Sequence, residues 1–271
     1  MNNSFSVYKT VTAFLIIPFI VLWGGGGSFS EASQPEFYYF NPDSSQSNLG
    51  RLKHEMDSFF SQAGCAFTFQ PFAHQVDLDR KLKEKPPAFL FAPDWYLQKY
   101  GGKFKLKGFL RPLRKGKSSY RKVLMVAKAS DITPDDLEDN SLAMTSMGPG
   151  WANILNKIMF SAKGVNAGEL DTVIVPKDSD AIIAVALGQV EMALVVKENL
   201  ARINNPRIMN AVRPLIESAP IPMPVISYSK GAASPSDIQK LKEVFLDAGK
   251  KQMRAKIMEM LQIDEWQSIS K

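Results

Sequence analysis

Cysteine is almost absent from this 271-residue chain: Cys65 stands alone, which excludes an internal disulfide and any cysteine-cluster metal site. A small buried apolar residue is the ordinary role for such a thiol. Histidine is nearly as scarce. His54 falls on a helix face and His74 beside a helix start, and neither adjoins a serine or cysteine motif. The chain has no His-x-x-x-His pair, phosphate-loop lysine motif or dinucleotide glycine fingerprint. The carboxylate pairs Asp77/Asp79 and Asp135-Asp136 lie at expected helix starts, where the helix dipole accounts for them. Catalysis, a resident metal and a cofactor are therefore not expected.

Long apolar runs are also missing, apart from Val11 to Trp23, which is short for a membrane span. Lys9 precedes that run, Gly24 to Gly27 end it, and Ser30-Glu31-Ala32 supplies the small residues of a cleavage site. Residues 1–32 therefore read as a signal peptide. A retained anchor is the weaker reading, because Pro18 and the glycines interrupt a helical span. Cys65 lies too far downstream to be a lipidated first residue. Acidic residues are missing between Lys99 and Lys122, a stretch that holds ten Lys or Arg and accounts for much of the net charge of +6. Such a run is either a solvated face or a docking surface for an acidic partner or anionic membrane. Nothing resembles a nucleic-acid-binding motif.

With 45% hydrophobic and 22% charged residues, the whole chain has the composition of a soluble globular protein. Its pattern is a repeated strand–helix series. Strands are expected at Phe37–Phe40, Phe67–Phe72 and Ala88–Ala92. A helix carrying Leu49, Leu52, Met56, Phe59 and Phe60 and a second from Val76 to Glu84 separate them. A short helix or turn with Trp95, Tyr96 and Tyr100 follows, then the basic stretch and one long strand over Ser119–Ala129. Thr133-Pro134-Asp135-Asp136-Leu137 reads as a helix start.

The second series comprises strand Leu142–Thr145, helix Trp151–Phe160, strand Thr172–Val175, helix 178–187 and strand Met192–Val196. Ser179 or Asp180 is expected to cap that helix, and Gly188 to stop it in a left-handed conformation. Ile208–Glu217 reads as a strand, Ser218–Val225 as a proline-rich crossover and Ile226–Tyr228 as a strand. A helix capped at Ser234 with Ile238, Leu241, Val244, Phe245 and Ala248 inward comes next, then a last helix with Met253, Ile257 and Leu261. Alternating strands and helices predict parallel sheets covered by helices. Two such series predict two lobes.

The order and residues of these segments resemble the phosphonate/phosphite-binding family of periplasmic solute receptors over roughly residues 36–265. Five segments carry the likeness: Ala184-Val185 through Gly188 and Val190-Glu191 to Ala193; Phe91-Ala92-Pro93 with Tyr96; Lys115-Gly116-Lys117 with Tyr120; Asp131-Ile132 with Asp136-Leu137; and Ala219-Pro-Ile-Pro222. The resemblance implies an α/β, two-lobed type 2 periplasmic-binding fold, each lobe a mixed sheet covered by helices, joined by two crossover segments. Lobe one would hold 33–119 and 226–271, and lobe two, with the crossovers, 120–225. It also implies a periplasmic monomer that binds a small molecule for an ABC-type transporter, with a membrane permease or a sensor protein as partner and no nucleic acid.

The ligand would lie between the lobes, at loops following the strands' carboxyl ends. Asn41, His74, Asp94, Trp95, Tyr96, Tyr120, Ser146, Trp151, Asp178 and Asp180 are the candidate ligand-binding residues on these grounds. The family holds its phosphonate with a Ser-Thr-Ser-Gly turn at a helix amino end. Here that turn reads Ser146-Met147-Gly148-Pro149-Gly150-Trp151, where hydroxyls are replaced and proline removes an amide donor. His74 aligns with a family tyrosine, and Asp178 falls near a family histidine, placing negative charge where an anion would bind. An ordinary phosphonate is therefore not the expected ligand. The competing reading keeps the receptor fold as an accessory or sensory subunit of another envelope system, docking through residues 99–122.

Overall fold

Four consecutive apolar side chains in a strand require a sheet covered on both faces, and the chain provides several such strands. The computed structural model describes residues 34–44, 48–161, 164–247 and 251–269; residues 1–32, expected to be a signal peptide, and Ala248 lie outside them. The first series is β1 (Glu36–Tyr39), α1 (Leu49–Gln62), β2 (Thr68–Pro71), α2 (Gln75–Glu84), β3 (Phe89–Ala92) and α3 (Asp94–Tyr100). β4 (Leu106–Leu113), β5 (Ser119–Tyr120) and β6 (Lys122–Ala127) follow. The second series is β7 (Leu142–Met144), α4 (Trp151–Leu155) continued by a π-helical turn over Asn156–Phe160, β8 (Thr172–Ile174), α5 (Asp178–Ala186) and β9 (Met192–Val196). The chain closes with α6 (Pro206–Asn210), β10 (Val212–Glu217), β11 (Ile221–Pro222), β12 (Val225–Ser229), α7 (Pro235–Leu246), α8 (Lys251–Leu261) and β13 (Glu265–Ser268).

Two sheets result. One has the order β13-β4-β12-β3-β1-β2, the other β10-β6-β9-β7-β8. In the first, β2, β1 and β3 are parallel and β12 joins β3 antiparallel. In the second, β8, β7 and β9 are parallel and β6 joins β9 antiparallel. The two lobes thus share one plan: three parallel strands flanked by an antiparallel strand that the chain enters directly from a crossover. The crossovers themselves pair, β5 with β11, as a two-stranded antiparallel ladder.

Side-chain alternation fills both faces of each sheet. Phe37 and Tyr39 of β1 and Phe89 and Phe91 of β3 pack into the core beneath α1, α7 and α8, while Tyr38, Phe40, Leu90 and Ala92 pack beneath α2 and α3. In lobe two, Leu124, Val126, Met192 and Leu194 face α4, and Val123, Met125, Ala193 and Val195 face α5. α5 ends at Gly188, whose φ of +69° is the left-handed stop expected there.

Five segments differ from the sequence-based expectation. The basic stretch contains β4, paired between β12 and β13, and β13 itself has no counterpart among the expected strands. Ser119–Ala129 is not one strand: the chain breaks at Arg121, so that β5 serves the crossover and β6 the sheet. Thr133–Leu137 makes turns rather than a helix, because polar Glu138-Asp139-Asn140 follow where a helix would need an apolar face. Ile208–Asn210 belongs to α6, which Asn205 caps through its side chain and Pro206 opens, and only Val212 onward is strand.

Candidate functional site

The loops after the parallel strands' carboxyl ends meet between the lobes. Asn41–Ser44 after β1 and Phe72–His74 after β2 face Thr145–Ser146 after β7 and Val175–Lys177 after β8 around a cavity of about 330 Å³. Tyr39, Leu49, Phe72, Ile174, Val175 and Pro176 give it apolar walls, and Asn41, His74, Thr145, Ser146 and Lys177 supply its polar groups. Across the Pro42–Ser44 turn lies a second cavity of about 270 Å³, bounded by Lys177, Asp178, Ser179, Asn199 and Arg202. A larger hollow of about 670 Å³ lies beside β5, where Arg114, Lys117, Arg121 and Lys197 alternate with Glu198, Glu217, Glu259 and Asp264. It lies on the crossover side and reaches only Lys197–Arg202 after β9 among the parallel strands' ends, and Glu217 already engages Arg121 and Lys197.

A polar network runs between the two smaller cavities. Asp43, on the lobe-one turn, reaches Lys122 at the start of β6: Nζ donates to Oδ1 at 2.6 Å. The Lys122 side chain is 0% exposed and that of Asp43 9%. Tyr120 donates its hydroxyl to the other carboxylate oxygen at 2.5 Å, and Thr145 Oγ1 lies 3.2 Å from Oδ1 and 3.4 Å from Lys122 Nζ. Burial first, then the charge and hydrogen bond of Asp43, raise the Tyr120 phenol well above its ordinary value, so it is a fixed donor. Asn199 bridges the network to Asp178: Nδ2 donates to Asp178 Oδ2 at 2.7 Å and to the Asp43 carbonyl at 3.4 Å.

Asp178 is buried, and Val196 N–H also donates to its Oδ2, at 3.1 Å. Burial, reinforced by Asp43, raises its pKa against the opposing pull of Lys122 and of its two donors. It does not cap α5 through its side chain; nor does Ser179 or Asp180, since Lys177 occupies the cap position without a side-chain bond.

The opposite rim is apolar. Met147 is buried in the core of lobe two, and Gly148 has φ +79°. A Cβ on Gly148 would lie 2.3 Å from the Trp95 ring and 2.9 Å from Gln75 Oε1, so this turn is sealed against lobe one. Lys99 Nζ reaches the Pro149 carbonyl at 3.1 Å across the same rim.

Of the residues singled out from sequence, Asn41, His74 and Ser146 line the 330 Å³ cavity, and Asp178 lines its neighbour. Tyr120 joins the network and Trp95 the interlobe rim. The other four are placed elsewhere. Tyr96 is fully buried inside lobe one, with its hydroxyl on Asp79 at 2.6 Å. Asp94 is paired with Arg111 at 2.6 Å. Trp151 packs on the core of lobe two at the start of α4. Asp180 accepts from Ser179 at 3.4 Å and borders neither interlobe cavity. Asp43, Lys122, Thr145 and Asn199 are not among the residues that sequence reasoning singles out. Lys122 is hidden as the last cation of the basic run, although a lysine opening the apolar segment Val123–Val126 is itself a signal of a buried charge that needs a partner.

No group of three or more metal-ligating side chains occurs among the described residues, and no helix there is long and apolar enough to cross a membrane. A comparison with curated proteins finds no match. Among solved structures, the chain is similar to a binding protein component of an ABC phosphonate transporter from Pseudomonas aeruginosa, with TM-score 0.69, 17% identity, and coverage of 87% of this chain and 82% of that one. It is also similar to PhnD1 from Prochlorococcus marinus in complex with methylphosphonate, with TM-score 0.67, 12% identity, and coverage of 87% and 92%. A histidine kinase sensor domain with similarity to periplasmic binding proteins gives TM-score 0.55 and 15% identity, with coverage of 86% and 98%. At these identities the likenesses carry the fold: two lobes of type 2 periplasmic-binding architecture. A family model described as ABC transporter, phosphonate, periplasmic substrate-binding protein matches residues 40–271. The chain belongs to the phosphonate-type family of ABC-transporter periplasmic substrate-binding proteins.

Proposed function

We propose that this protein is exported, binds a small organic molecule between its two lobes for an ABC-type permease, and does not take a simple phosphonate. The observation that supports this reading is the 330 Å³ cavity, built from loops of both lobes and walled by Tyr39, Leu49, Phe72, Ile174, Val175 and Pro176. Its size is at the lower end for organic-ligand pockets. Its few polar groups, Asn41, His74, Thr145, Ser146 and Lys177, suit orienting a largely apolar ligand better than gripping a dianion. The turn that would present hydroxyls to a phosphonate instead buries Met147 and packs Gly148 on Trp95.

Thermal unfolding in the presence of candidate ligands tests this. A ligand at 100 times its dissociation constant adds about 2.7 kcal/mol of stability, enough for a clear rise in melting temperature. Methylphosphonate and phosphate are expected to give none, while an apolar organic solute recovered by native mass spectrometry of the purified protein gives a saturable rise that Phe72→Ala weakens. A saturable rise with methylphosphonate would overturn the ligand assignment.

A second reading, an accessory or sensory subunit, is favoured by one observation: the lobes are joined directly by the chain's own charged side chains, Asp43 and Lys122. Its docking surface would include Lys103 and Lys105, which are exposed beside β4, and Lys107 on it. Neutralising all three would then abolish capture of a partner, whereas the transport reading has solute binding unchanged. Neighbouring genes for a permease and ATPase would favour transport.

A further inference from the structure

The centre of the interlobe contact is an oxyanion site that already holds an anion. Lys122 Nζ, Tyr120 Oη and Thr145 Oγ1 converge on one carboxylate, with Lys122 and Thr145 at Oδ1 and Tyr120 at Oδ2. A cation and two hydroxyls around a two-oxygen acceptor is what a free carboxylate would require of a receptor. Here that acceptor belongs to the chain. Asp43 comes from the Asn41–Ser44 turn of lobe one, Lys122 and Thr145 from strand ends of lobe two, and Tyr120 from the crossover. The Lys122 side chain is wholly buried, its other contact is Thr145 Oγ1 at 3.4 Å, and its own N–H is held by the buried Ser218 hydroxyl at 2.9 Å. If the lobes separated, Asp43 would leave with lobe one. Lys122 would then keep one weak acceptor, Thr145, and the charge of Asp178, to which no hydrogen bond joins it, an unfavourable state for an ammonium in a protein interior.

We propose that Asp43 is a tethered ligand: its carboxylate fills a carboxylate-binding site on lobe two, holds the lobes together without any solute, and bars free anions from Lys122. The site is then latent. Removing the Asp43 side chain exposes a pocket for a small free carboxylate such as formate or acetate. A tethered group acts at an effective concentration of roughly millimolar or above, so the free anion is needed at tens of millimolar. Chloride, a single sphere, cannot accept from Lys122 and Tyr120 through two separate oxygens.

The test combines small-angle scattering with thermal unfolding. Wild-type protein, unfolded in guanidinium and refolded to strip any solute, is expected to scatter as the closed form and to be indifferent to formate. Asp43→Ala is expected to show a larger radius of gyration in chloride. Sodium formate at the same ionic strength restores the closed value and raises the melting temperature saturably. In Asp43→Ala/Lys122→Met, formate has no effect on either quantity. The proposal is overturned if stripped wild type is open, if Asp43→Ala stays closed in chloride, or if the double variant responds to formate as the single one does. The wild-type arm needs no variant, so a poorly folding Asp43→Ala still leaves the proposal open to refutation.

Discussion

Lys122 is the side chain whose loss is expected to cost most. A buried pair broken by removing one partner typically loses about 3–5 kcal/mol, because the other charge stays behind without compensation. Lys122→Met should therefore lower the urea midpoint far more than Lys81→Met, whose pair with Glu84 at 3.5 Å is on the surface and is worth at most about 1 kcal/mol. Asp178 gives a prediction with a sign. Its carboxyl titrates above the ordinary 3.8 in the folded protein, mainly through burial. Between the unfolded and folded values the native state binds the proton more tightly, so stability is present at low pH and falls as pH rises through the folded value. Asp178→Asn cannot ionise, and should gain on the wild type as pH rises from about 4 towards neutrality. The gain is about 1.4 kcal/mol for every pH unit that separates the folded from the unfolded value. Equal differences in urea midpoint at both ends of that range would refute it.

Gly148→Ala meets both a left-handed backbone and the Trp95 ring. It should lower the melting temperature by an amount equivalent to about 1–3 kcal/mol and loosen the rim, which tryptophan fluorescence would register. These residues are unevenly legible in the sequence. Asn41, His74 and Ser146 follow from loop position alone, because a ligand in a two-lobed α/β protein sits at strand ends. Tyr96 is misleading because a tyrosine flanking such a loop reads the same whether it points to the cleft or, as here, to Asp79 inside the lobe. Asp43 and Lys122 are 79 positions apart, and nothing local to either one names the other.

At the level of elements, local chemistry is reliable where a packing pattern agrees with it. Ser234 caps α7 with a reciprocal box, its hydroxyl accepting from Asp237 N–H at 3.1 Å while the Asp237 carboxylate accepts from Ser234 N–H at 3.3 Å. Leu241, Val244 and Phe245 follow on one buried face. Ser234→Ala should cost about 1 kcal/mol, visible as a lowered urea midpoint at unchanged slope. Thr133-Pro134-Asp135 carries the same kind of start signal and makes no helix, because no apolar face follows for a core to hold. β4 is illegible for the opposite reason. Its cations interrupt the apolar pattern, yet Phe109, Leu110 and Pro112 are buried, and pairing with β12 and β13 supplies what propensity does not. β13 lies at the sheet's edge, where Trp266 packs on Phe91 and Phe245. A four-residue strand with one buried aromatic is too slight a pattern to find without its neighbours.

For the whole molecule, the repeated series makes the two lobes legible, since strand and helix order fixes which elements can share a sheet. The contact that holds the lobes together is not legible, because it is made by single side chains from distant loops. On the proposed export route residues 1–32 are removed, so amino-terminal sequencing of protein recovered from the cell envelope should begin near residue 33; a first residue of Met1 would refute export by cleavage. The crossovers carry one further consequence. Tyr120 lies opposite Ile221 and Ser119 opposite Pro222, bonded as neighbouring strands rather than running as separate tethers. Two independent tethers would let one lobe roll, slide or swing against the other. A hydrogen-bonded ribbon resists stretching and shear in its own plane and yields mainly by flexing across its thin direction. The lobes accordingly share one pivot with one dominant direction of travel, and Tyr120, which grips Asp43, sits on that pivot and not out on a swinging arm.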